Sequence, residues 1–236
     1  MEWDLFQQVV EIRYQSFLHW DRPGKVASDL ISRFPSLTVG EAGPAEVTLT
    51  EKEDQITLVY GLQFSRITAV PRTLRSDRLD YYAPEFFSTV LRDLEIKTLS
   101  RVGHRMIHHL KLRSIKDAQT KLNSFANKYQ AGASLLQQTN DPLLAAKTLR
   151  RVVLRFEDDK TGLSISLKPD TSKFTISGPN SDALRAHAPP EQFFLVLDVD
   201  VFTAQPLPSS DFVVSEFTKS NLKMLRTRLM PLVDAS

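Results

Sequence analysis

The chain contains no cysteine and only eight glycines in 236 residues. The first absence excludes a disulfide framework, a thiol nucleophile and every cysteine-ligated metal or cluster. The second leaves little material for phosphate-cradling loops, and no nucleophile-elbow, P-loop or dinucleotide-binding glycine motif occurs. No stretch approaches the ~18–20 uninterrupted apolar residues of a membrane helix. The opening Met1-Glu2-Trp3-Asp4 has neither the basic nor the apolar region of a secretory signal, so the expectation is a cytoplasmic protein with no membrane contact. An excess of one charge is missing too: 30 Lys+Arg face 28 Asp+Glu, and 42% of residues are hydrophobic. That balance is globular and argues against collagen-like, coiled-coil and extensively disordered chains.

What is present is an apolar pattern that switches between period 2 and period 3.6. Val9 to Gln15 alternates, with Val10, Ile12 and Tyr14 on one face, and reads as a strand. Lys25 to Phe34 reads as a helix through Val26, Leu30, Ile31 and Phe34, stopped by Pro35. Strands are expected at Glu46–Thr50, Ile56–Tyr60 and Leu62–Val70, with a weaker one at Arg78–Tyr82, and then a helix opened by Pro84. The order then starts again. His104 to Leu112 alternates, and Ile115 to Tyr129 is helical through Ala118, Leu122 and Phe125. A short helix at Pro142–Lys147 and strands at Arg150–Glu157, Gly162–Lys168, Lys173–Ser177 and Phe193–Phe202 follow, and a long helix from Asp211 to Val233 closes the chain. The expected fold class is α+β, with antiparallel sheet packed on long helices. The order suggests two pseudo-repeated β-α-β4-α halves, residues 1–99 and 100–236, forming one compact unit of TATA-binding-protein-like or helix-grip-like kind. One larger sheet wrapping a terminal helix is the alternative.

Two stretches carry a resemblance. Arg101-Val102-Gly103-His104-Arg105-Met106-Ile107, and Leu195-Val196-Leu197-Asp198-Val199-Asp200-Val201-Phe202 with its following helix, resemble the corresponding strands of a sporadically distributed, uncharacterised bacterial family of about this length. The chain departs from that family's pattern at His108-His109. The resemblance implies a bacterial setting and a whole-chain unit, and supplies no catalytic residue.

Few residues suggest chemistry. His104 and His108 share a strand face but stand about 13 Å apart, too far to hold one metal between them, and His109 points to the opposite face. Neither His19 nor His187 completes a metal-binding spacing. Asp198 and Asp200 leave one face of a strand about 6–7 Å apart, and with a third carboxylate could hold Mg²⁺. Their simpler role is pairing with cross-strand arginines. No cofactor is implied.

Charge placement is the feature that stands out. Residues 101–155 hold eleven of the Lys/Arg residues and two of the acids. Arg105, His109, Lys111 and Arg113 alternate with Met106, Leu110 and Leu112, as Arg151 and Arg155 do with Val152, Leu154 and Phe156. If both strands share a sheet, its outer face is basic, and Arg66, Arg72, Arg75 and Arg78 would extend it. Such a face suits nucleic acid or another polyanion. No aromatics are expected between the charges to stack on bases. The expectation is therefore a binding protein rather than an enzyme. An accessory subunit that meets an acidic protein is the alternative, and a metal-dependent hydrolase using Asp198 and Asp200 is a third reading.

Overall fold

Alternation from Gln7 to Ile12 builds most of the first strand, β1 (Asp4–Arg13), whose Val10 and Ile12 are fully buried. The computed structural model describes residues 2–15, 22–43, 45–53, 55–70, 77–129, 149–172 and 190–234. Helix α1 (Pro23–Arg33) starts with proline in its first turn, where the missing N–H costs nothing, and buries Val26 and Leu30. A meander follows: β2 (Thr38–Ala42), β3 (Glu46–Glu51), β4 (Ile56–Gly61) and β5 (Phe64–Ala69). Periodicity gives no signal for β2 because every one of its residues is exposed.

Residues 78–82, expected as a strand, belong instead to α2 (Asp77–Asp93). The reason is visible in the burial: Leu79, Tyr82, Ala83, Phe86, Phe87, Val90 and Leu94 all lie inside, the spacing of one helical face. Pro84, expected to open this helix, lies inside it on the exposed side.

The second part of the chain contains β6 (Thr98–Leu99), β7 (Arg101–Leu112) and α3 (Ile115–Lys128), the last capped by the Ser114 hydroxyl accepting from the Asp117 N–H at 3.1 Å. Then come β8 (Val152–Glu157), β9 (Thr161–Ser172), β10 (Gln192–Thr203) and β11 (Leu207–Pro208). The closing helix is broken into α4 (Val214–Met224), one π turn (Leu225–Leu229) and α5 (Met230–Asp234). The elements expected at Pro142–Lys147 and Lys173–Ser177, and Arg72 and Arg75, lie outside the described residues.

Nine strands form one antiparallel sheet in the order β2-β3-β4-β5-β1-β7-β10-β9-β8, while β11 and β6 pair separately. Helices α1 and α2 lie against β3, β4 and β5, α3 lies against β7, β9 and β10, and α4 packs on α2. The protein is thus mixed α+β with one large antiparallel sheet. Among the described residues no helix is long and apolar enough to cross a membrane.

The core under the helices falls into two clusters. Along β7, Val102 belongs to the first and Met106 to the second. Between them sits His104, fully buried, with its Nε2 3.2 Å from the Gln8 Oε1. Gln8 likewise divides Val10 from Leu5 on β1, and Thr218 and Asn221 divide Phe217 from Leu222 on α4 and Leu225 at the start of the π turn. Three elements therefore pass from one apolar cluster to the other through a buried polar residue.

Candidate nucleic-acid interface

The opposite face of the sheet carries no helix among the described residues. Alternation places Arg101, Gly103, Arg105, Ile107, His109 and Lys111 of β7 on this open face, because their neighbours Val102, His104, Met106, His108 and Leu110 are buried beneath the helices. Register then builds rows across the strands. One row runs Val9, Arg105, Asp200, Ser164, Arg155, so β7 and β8 do contribute to one basic surface, with β10 and β9 between them. Three strand spacings separate Arg105 from Arg155, about 14 Å. A neighbouring row runs Arg66, Glu11, Gly103, Phe202, Gly162, Glu157.

Most of these cations already have an acid. Arg105 donates from Nε and Nη2 to the two oxygens of Asp198 at 2.8 and 2.7 Å, and the carboxylate raises the guanidinium's pKa further. Arg101 donates to Asp200 at 2.9 Å, Arg13 to Glu11 at 2.7 Å and Arg155 to Glu157 at 3.0 Å. The cross-strand pairing expected for the two aspartates is what the sheet builds. Both carboxylates are engaged, and no cluster of three metal-ligating side chains occurs among the described residues.

The remaining expected residues sit as follows. Lys111 is exposed and Arg151 donates to the Ser166 hydroxyl at 2.7 Å. Neither they nor Arg66 has an ion pair with a carboxylate among the described residues. Arg66 lies 5.6 Å from the Phe64 ring centre. Arg113 is exposed but stands beyond the end of β7, so it borders the face rather than lying on it. Arg78 is in α2, away from the sheet's open side.

Two shallow depressions cut the face. The first, about 440 Å³, is rimmed by Arg13, Arg66, Arg101 and Arg105 around Gly103. The second, about 450 Å³, lies between Arg101 and Arg155 over Phe202. Both guanidinium groups stand over that ring, 4.5 and 5.6 Å from its centre, a cation–π clasp.

The face also holds the aromatic rings that the sequence reading did not place there. Phe194 and Phe202 share the parity of Asp198 and Asp200 along β10 and so face outward. Phe6 joins them because the register of β1 shifts between Leu5 and Gln7. His109 stands between these strands, stacked on Phe6 with centroids 4.2 Å apart and planes 10° apart, and 5.0 Å from Phe194. Burial lowers the His109 pKa below that of a free imidazole, which favours the neutral ring.

No family model matches this chain, and neither does any curated protein.

Proposed function

We propose that the protein binds nucleic acid, or a polyanion of similar charge spacing, through the helix-free face of its sheet. The observation that carries this reading is the concentration of Arg13, Arg66, Arg101 and Arg105 around one open depression, with Lys111, Arg151 and Arg155 on or beside the same face. Phosphates entering there would displace counterions and share the arginines with Asp198 and Asp200. A second reading is favoured by those same ion pairs: an acidic partner protein could exchange its carboxylates for the internal ones, making this chain an accessory subunit. The hydrolase reading draws less support, since each aspartate is already held by a guanidinium.

We also read residues 1–99 and 100–236 as two related halves of one unit, a TATA-binding-protein-like saddle. Supporting this is the strand order outward from the centre, β1-β5-β4-β3-β2 on one side and β7-β10-β9-β8 on the other, in which the first and last sheet strands of each half lie side by side. The polar seam between the two core clusters supports it further. The resemblance to the bacterial family would give that unit a bacterial setting.

The test is fluorescence anisotropy with a labelled oligonucleotide at low salt. Lys111→Ala and Arg66→Ala are expected to weaken binding, whereas Lys219→Ala, an exposed change on α4 in the helix layer, leaves it unchanged. Equal losses at Lys219 and Lys111, or no binding by the native chain, would overturn the reading.

A further inference from the structure

The cluster of Phe6, His109 and Phe194 adds something that charge alone does not. Phe6 occupies the irregular position of β1, stacks on His109 and is still 47% exposed, so part of its ring stays open to solvent on this face. Lys111 stands opposite Phe194 in the strand register and Lys168 opposite Val196, so ammonium groups lie beside the rings. Lys168 is shared with Asp170 at 2.8 Å, whereas Lys111 has no ion pair among the described residues. Rings next to phosphate-binding cations are what single-stranded nucleic acid needs, because an unpaired base offers its π-face to a side chain. In a duplex those faces are buried in the base stack, and an upright ring on a sheet reaches only backbone and groove edges.

We propose that the open face selects single-stranded nucleic acid, one base stacking on the exposed ring of the Phe6–His109–Phe194 cluster while adjacent phosphates meet Lys111 and Lys168. This inference rests on the polyanion-binding reading above and narrows it. The rings do not bear on DNA against RNA, because stacking is common to both.

The experiment compares labelled oligothymidine, a short DNA duplex and inorganic polyphosphate as probes, with Phe6→Ala, Phe6→Leu, Phe6→Trp and Lys111→Ala. Phe6 is exposed, so these variants should fold, which thermal melting verifies. Oligothymidine should bind more tightly than the duplex. Phe6→Ala and Phe6→Leu should each weaken it about tenfold, the size of one lost stacking contact, without changing duplex binding. Phe6→Trp should retain binding and show tryptophan quenching beyond that of the native chain. The inference is overturned, with the broader reading intact, if duplex or polyphosphate binds as tightly as oligothymidine. The same holds if Phe6→Leu is silent while Lys111→Ala still weakens binding. No binding of any probe at low salt would bring down the broader reading as well.

Discussion

The Asp198 side chain is only 17% exposed and both of its oxygens are taken by Arg105. Truncating the arginine alone leaves that carboxylate half-buried without a partner. Arg105→Ala is therefore predicted to cost about 1–2 kcal/mol, between the values for exposed and buried ion pairs, and Lys111→Ala less than about 0.5 kcal/mol. Urea unfolding measures both. Equal midpoints would mean the bidentate pair contributes nothing. Gly162 makes a second prediction at this scale. A Cβ there would fall 2.2 Å from the Phe202 ring, which cannot retreat without opening the Arg101–Arg155 clasp. Gly162→Ala should destabilise by about 1–3 kcal/mol by overpacking, again read from unfolding curves. Part of this was legible in the sequence. Parity along β10 puts Phe194 and Phe202 on the aspartate face, a signal present in the alternation itself. Phe6 was not legible, since its outward position depends on a register shift in β1 that no local spacing reveals.

Elements with strict alternation or a clean helical stripe match their periodicity closely: β10 and α3 to within a residue, and β7 at its end, although it starts three residues before the expected His104. Those that fail have physical reasons. The edge strand β2 faces solvent on both sides and so has no pattern, and the start of α2 has aromatics dense enough to imitate a strand. Strand β7 has a consequence of its own. Burial holds the pKa of His104 at about 3 and of His108 at about 4, with Arg226 from the π turn adding to the effect on His108. Their folded values are depressed below the ordinary ~6.5, so as pH falls below that value only the unfolded chain takes up protons. Stability should be full above pH ~6.5 and should fall towards pH ~5, by up to about 1.4 kcal/mol per pH unit for each histidine. Melting temperature against pH tests this. The double variant His104→Leu/His108→Leu should flatten the curve in that window, and an undiminished slope would contradict the assignment.

At the scale of the molecule, the sheet separates two chemistries. One side is a helix-covered core divided by Gln8, His104, Thr218 and Asn221; the other is an open face of paired charges and clustered rings. Sequence spacing could show that each strand is two-faced, but not that β10 and β9 lie between the two basic strands, because pairing partners are chosen by the whole sheet. It could not show either how far the acids balance the arginines, which depends on cross-strand register. The central claim, that the open face binds a polyanion, is tested most directly by the salt dependence of oligonucleotide affinity. A plot of log affinity against log salt should fall steeply for the native chain. For the double variant Arg66→Ala/Lys111→Ala the slope should be shallower by roughly 0.7–0.9 per lost phosphate contact. Affinity independent of salt, or a slope unchanged by removing both cations, would contradict it.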